Sequence, residues 1–234
     1  MSEEFQSLVK TIEELASNEK DNFAFRYIGF DGKLESSRTY GEIFQRAKQV
    51  AYGLKHEHGL QAGDRATLVY KAGVEFVEGF LGCILMGVIP VPVPAPSPML
   101  SELGVPAFLS IVSDCKPKVH LSSTSYMEGK LFGKLMELLG QHPNAASISW
   151  VNTDNFQGEK ISEIVYPDKK DTAFLQYTSG STSSPKGVMT TFENIFAQTT
   201  LYQIHFKTVK GSTTVFWMPH YHDFTLIGGM IPAL

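Results

Sequence analysis

The chain has 234 residues, 43% of them hydrophobic and 19% charged, with a formal net charge of −4. That apolar content excludes a disordered chain and is enough to build a sizeable core in one or two domains. The slight acidic excess lacks the basic surplus of a nucleic-acid binder, so nucleic acid is not expected as a partner.

The first segment, with early acids and no long apolar stretch, does not read as a signal peptide. Leu8, Ile12 and Leu15 recur there at helical spacing. A hairpin follows, with a strand over 23–28 and a turn at Asp31 and Gly32. Thr39 with Glu42 three residues on reads as a capping box. It opens a helix through Ile43, Ala47, Val50 and Leu54 toward Gly59. A short strand over 66–70, a helix over 74–87 and a strand over 88–91 come next.

Residues 79–101 carry no charge, a length of 23 residues that matches a bilayer span. Pro90, Pro92, Pro94, Pro96 and Pro98 alternate through the second half, which forbids a helix and favours an extended path. The expectation is a buried helix running into an extended segment, with no membrane span. Cys83 lies in the apolar part and reads as a buried free thiol; with Cys115 it makes only two cysteines, too few for a disulfide framework. The absence of any Asn-x-Ser/Thr sequon agrees with a cytoplasmic setting.

Further on, the pattern predicts a helix over 100–115, a strand over 118–121, a helix over 126–139 and a strand over 146–151. Strands alternating with helical stretches imply an α/β fold, with largely parallel sheets flanked by helices. The polar stretch 152–170 is the expected subdomain boundary. Beyond it come strands over 172–177 and 188–190, a helix starting near 192–194, and a strand over 213–218.

Two motifs carry candidate chemistry. Residues 178–184 are all Gly, Ser or Thr and run into Pro185, Lys186 and Gly187. Small residues let consecutive backbone N–H groups turn toward one anion, hydroxyls add donors, and Lys186 brings a mobile positive charge. A flexible linker has similar composition, but this segment is pinned between two apolar strands, which favours a phosphate cradle. It is not a Walker A loop. The second motif is His220-Tyr221-His222-Asp223. Zinc ligation, a packed turn and a ligand-facing polar cluster are all open; the position after a strand favours the last.

The stretch Tyr177-Thr178-Ser179-Gly180-Ser181-Thr182-Ser183-Ser184-Pro185-Lys186-Gly187-Val188 resembles the adenylate-forming (AMP-binding) superfamily. The run from Gly63 to Pro92 and the run from Trp217 to Gly229 are similar to its fatty acyl-AMP ligase branch, and Thr39-Tyr40-Gly41-Glu42 fits it too. The resemblance covers residues 38–234. It implies that the chain is a partial N-terminal AMP-binding domain of a ligase using ATP and Mg²⁺. Such an enzyme joins a fatty acid to AMP and passes the acyl group to an acyl carrier protein or to CoA. Carried over, Thr178, Ser179, Gly180, Ser181, Thr182 and Lys186 hold the ATP phosphates. His222, with Tyr221 and Asp223 beside it, lines the junction of acyl and nucleotide pockets, and Lys186 and His222 are the catalytic candidates; no residue is assigned to a metal.

Several positions depart from the resemblance: Ser183 for a usual Gly, Phe192 for a common His, Lys71-Ala72 for Pro-Pro, and Phe224-Thr225 for Met-Gly. The superfamily's later motifs and its small C-terminal domain are absent, so the chain alone is expected to bind nucleotide poorly and not to turn over. A long-chain acyl-CoA synthetase or a peptide-synthetase adenylation domain is the alternative reading. A non-catalytic nucleotide- or lipid-binding relative is another.

Overall fold

A computed structural model describes residues 5–96, 104–157, 163–178 and 186–234. Ser179, Gly180, Ser181, Thr182 and Ser183, and the start of the helix expected from residue 100, lie outside the described residues.

Helix α1 (Leu8–Asn18) buries Leu8, Val9 and Ile12, and Ser7 accepts a hydrogen bond from the Lys10 N–H at its start. Strands β1 (Phe23–Ile28) and β2 (Leu34–Thr39) form the expected antiparallel hairpin. Its turn is held by the Lys33 N–H donating to Asp31 Oδ1, with Gly32 at φ 79°. Helix α2 (Tyr40–His56) opens on the capping box read from sequence: the Glu42 N–H donates to Thr39 Oγ1 at 3.2 Å, and the Thr39 N–H donates to Glu42 Oε2 at 2.8 Å.

Four parallel strands form the central sheet in the order β4-β3-β5-β6: β3 (Arg65–Leu68), β4 (Ile89–Pro92), β5 (Val119–Ser122) and β6 (Ser149–Asn152). Of the alternating prolines, Pro90 and Pro92 belong to edge strand β4. Their period matches the strand's, so the missing N–H groups of Pro90 and Pro92 share one edge. On the other edge Ile89 and Val93 donate to Asp64 and Leu68 of the β3 segment. Helix α3 (Val74–Met86) is buried almost all round, as its largely apolar sequence requires, and ends on Gly87 at φ 73°. With α2 it covers one face of the sheet. Helix α4 (Gly104–Cys115) and helix α6 (Lys130–Leu139) cover the other through Phe108, Ile111, Leu135 and Leu139. Among the described residues no helix is long and apolar enough to cross a membrane.

The α2–α3 contact is close at Gly82. A Cβ built there would lie 2.5 Å from Val50 Cγ1 and 3.1 Å from the Ala47 carbonyl oxygen. Gly82→Ala is therefore expected to destabilise the fold by about 1–3 kcal/mol through overpacking. That outweighs the gain of about 1 kcal/mol in helix propensity. A lowered urea midpoint at unchanged slope checks it.

Three elements differ from expectation. The helix expected over 126–139 is two, α5 (Thr124–Met127) and α6, parted at Gly129. The strand expected from 146 starts at Ser149, because Pro143 opens a short helix, α7 (Pro143–Ala146). Residues 213–218 form no strand: no described strand pairs with them, and Val215 and Trp217 are 79% and 89% exposed. The polar stretch 152–170 contributes core packing through Phe156, and its Val165 N–H donates to the Leu85 carbonyl.

Buried histidines set a pH dependence, His120 among them. The His120 ring in β5 lies between Phe108 and Trp150, with Nδ1 2.5 Å from Thr67 Oγ1 and Nε2 unpartnered. Burial pushes its pKa down to about 4. The unfolded state thus binds more protons between the ordinary value and 4, and stability falls as pH drops through that window, by up to about 1.4 kcal/mol per pH unit. Urea midpoints of wild type and His120→Leu at pH 7 and at pH 5 check this; the wild type is expected to lose more than the variant.

Candidate functional site

The candidate site is built on an antiparallel pair, β7 (Thr172–Thr178) and β8 (Lys186–Thr191), with β7 lying beside β4. Phe174 is fully buried and packs edge-on against Phe80 of α3, which fixes the pair to the body. The ladder ends on Thr178 opposite Lys186. These two residues of the expected phosphate cradle therefore face each other where β7 and β8 meet the intervening seven residues. The Lys186 side chain is exposed and makes no hydrogen bond or ion pair with the described residues, so its ammonium is available to an anion.

The alternation of β7 holds its end from two sides. Gln176 is buried, and its Nε2 donates to the Tyr221 carbonyl at 2.7 Å. The next residue, Tyr177, donates from its hydroxyl to the Asp114 carboxylate of α4. The 219–223 turn thus rests on the strand that leads to Thr178. Within it the His222 N–H donates to the Pro219 carbonyl, and His222 caps helix α9 (Asp223–Thr225).

The two histidines of this turn diverge. The His220 ring packs against Phe76 of α3 at 4.4 Å between centroids, with both ring nitrogens buried and unpartnered. Burial pushes its pKa down to about 4, so it is neutral at physiological pH. His222 points outward, about half exposed, with Nδ1 2.7 Å from Asp223 Oδ1. The Phe224 N–H already donates to Asp223 Oδ1 at 2.6 Å. His222 Nδ1 accepts from the same Phe224 N–H at 3.2 Å, the contact by which His222 caps α9. Zinc ligation by this cluster is not supported: among the described residues no group of three or more His, Cys, Asp or Glu side chains is placed to hold a metal.

Tyr221, His222 and Asp223 are therefore brought to β7, while no described contact joins them to Lys186. Phe192, a departure from the resemblance, is a buried core residue at the start of helix α8 (Phe192–Phe206). Sequence reasoning missed Gln176 and Asp114. The one available signal was a glutamine in an otherwise apolar strand. Cys83 and Cys115 are free and buried, and burial holds both thiols protonated, Cys115 with a pKa pushed up to about 12.

Residues 12–234 match the AMP-binding enzyme family. The chain is 30% identical over 233 residues to a medium-chain-fatty-acid–[acyl-carrier-protein] ligase, JamA, of Moorena producens (strain JHB), spanning 99% of this chain and 38% of that protein. It is 31% identical over 221 residues to a long-chain-fatty-acid–AMP ligase, FadD23, of Mycobacterium tuberculosis (strain CDC 1551 / Oshkosh), spanning 90% of this chain and 36% of that protein. Among solved structures, a fatty acyl-adenylate ligase from L. pneumophila in complex with acyl adenylate and pyrophosphate superposes with a TM-score of 0.82. Its identity is 27%, over 97% of this chain and 38% of that one. The chain thus spans less than two fifths of the length of these relatives. By the family match over nearly its whole length, and by a fold shared with an adenylate-forming ligase, the chain belongs to the AMP-binding enzyme family.

Proposed function

We propose that this chain carries the phosphate-binding and acyl-side elements of a ligase that activates a fatty acid with ATP and hands the acyl group to an acyl carrier protein. The observation that carries this reading is the shared strand: β7 ends on Thr178 opposite Lys186, and Gln176 two residues earlier holds the 219–223 turn.

The chemistry asks for two anions held together. A carboxylate oxygen of the fatty acid attacks the α-phosphorus of ATP; the new acyl–O–P bond forms as the bond to the bridging oxygen breaks, and pyrophosphate leaves with that electron pair. Lys186, with Thr178, Ser179, Gly180, Ser181 and Thr182, holds the phosphates and offsets the charge that moves onto pyrophosphate. Tyr221, His222 and Asp223 form the acyl side, with the half-exposed His222 side chain at the junction. Mg²⁺ takes most of its oxygens from phosphates and water and needs only one or two from protein. The exposed Thr178 hydroxyl suits that demand, and the ion when bound supplies further charge neutralisation. ATP chemistry and two free cysteines favour a cytoplasmic setting. The change from parallel sheet to antiparallel pair supports a subdomain boundary in 152–170. Given the share of the relatives' length it spans, the 234-residue chain on its own is expected not to turn over.

The test incubates the full-length protein with ATP, Mg²⁺, a panel of fatty acids, CoA and a phosphopantetheinylated acyl carrier protein, with products read by mass spectrometry. Acyl-adenylate and acyl-carrier protein, without acyl-CoA, is the expected result. Acyl-CoA would reassign the acceptor, and no adduct with any fatty acid would overturn the reading.

A further inference from the structure

Resting on that phosphate-loop reading, we propose that Tyr177 and Asp114 are positioning residues for the ATP phosphates, clamping the base of the segment between Thr178 and Lys186 to helix α4. Tyr177 immediately precedes Thr178, and its ring lies across the ladder on Gly187, next to Lys186. A Cβ built at Gly187 would sit 2.9 Å from Tyr177 Cζ and 3.0 Å from its hydroxyl oxygen. Glycine at 187 is what lets the ring close over β8. One side chain thus spans both residues that flank the cradle.

The far end of the clamp is fixed. The Tyr177 hydroxyl donates to Asp114 in the last turn of α4. There Arg65 of β3 donates from Nε to the Cys115 carbonyl at 2.5 Å, tying that helix end to the central sheet. Burial and the Asp114 carboxylate raise the pKa of the phenol, so it stays a donor throughout the physiological range.

The ring packs over Gly187 and against the core on one side, and its other side is open, so the hydrogen bond to Asp114 fixes where the hydroxyl end lies. An open groove of about 270 Å³ lies beside the ring, lined by Arg65, Asp114, Leu175, Gly187 and Met189. A Tyr177 ring released from Asp114 has this space to swing into, and β7 then loses its hold on the α4 side. Gln176 would still hold the other side, through the Tyr221 carbonyl. Displacements on the order of 1 Å at such a base are enough to misplace reacting phosphates.

The test measures ATP·Mg²⁺ affinity by calorimetry, and kcat and KM for ATP in pyrophosphate exchange, on the full-length protein. Tyr177→Phe and Asp114→Ala are each expected to weaken ATP binding about five- to tenfold, the scale of one hydrogen bond. The double variant is expected to be no worse than either single one, because both act through one bond. Asp114→Asn keeps an acceptor and is expected to restore affinity, and KM for the fatty acid is expected to stay unchanged. Additive losses, or unchanged ATP affinity in both single variants while Lys186→Ala weakens it, would overturn the clamp. Unchanged affinity in Lys186→Ala as well, or no ATP binding by the wild type, would overturn the phosphate-loop reading itself.

Discussion

Replacing Lys186 by alanine is expected to lower the rate of acyl-adenylate formation by about 10²–10³-fold, the cost of removing one preorganised charge from the place where charge develops. The geometry makes this a clean test. Lys186 sits at the end of a ladder, opposite Thr178, exposed and without a described partner, so its loss removes no packing and breaks no ion pair seen in the fold. The melting temperature should therefore stay within a few degrees of wild type, which is the ordinary result for a surface substitution. Lys186→Arg keeps the charge but replaces a compact ammonium by a planar fork, and should recover part of the rate. ATP–pyrophosphate exchange and thermal melts of the three proteins decide the matter. An alanine variant with wild-type exchange would remove Lys186 from the phosphate site.

Sequence legibility followed how local each signal is. The Thr39–Glu42 capping box is contained within a few residues and stands as read, and the helix expected over 74–87 closes on Gly87, an equally local signal. Pro90 and Pro92 are local signals too, and they also specify an edge strand, since only there are missing donors harmless. Residues 213–218 failed because a strand is defined by its partner: alternation alone does not supply a neighbour with free N–H and C=O groups. The candidate site divides the same way. The composition of 178–186 and the His-rich turn are visible in the chain, whereas the contacts that assemble them are not. Gln176 to Tyr221 spans 45 residues and Tyr177 to Asp114 spans 63, and no pattern in either segment announces its partner. His220 and His222 looked alike in sequence; the backbone of the turn sends one into the Phe76 ring and the other to solvent.

Glu78→Ala is expected to destabilise the body of the fold strongly. Glu78 is 2% exposed, on a helix whose other residues are almost all apolar, and two guanidinium groups hold it. Arg38 of β2 approaches with Nε 2.7 Å from Oε1, and Arg46 of α2 with Nε 3.1 Å from Oε2. Arg46 also donates to the carbonyls of Phe156 and Thr153. The carboxylate therefore joins the hairpin, α2 and α3, and through Arg46 the 153–156 segment. Removing one partner of a buried ion pair costs about 3–5 kcal/mol, because the remaining charge stays desolvated. Arg38 and Arg46 keep 30% and 21% of their side-chain surface exposed, so part of their charge is solvated and the loss should fall near the lower end, about 3 kcal/mol. Glu78→Gln keeps an acceptor for one arginine and should lose less. Adding Arg38→Met to Glu78→Ala removes one stranded charge and should recover stability relative to Glu78→Ala alone. Urea unfolding of the three variants measures this. If the double variant were less stable than Glu78→Ala by the full effect of Arg38→Met on its own, the two residues would be energetically independent. The carboxylate would then be stabilised through Arg46 alone.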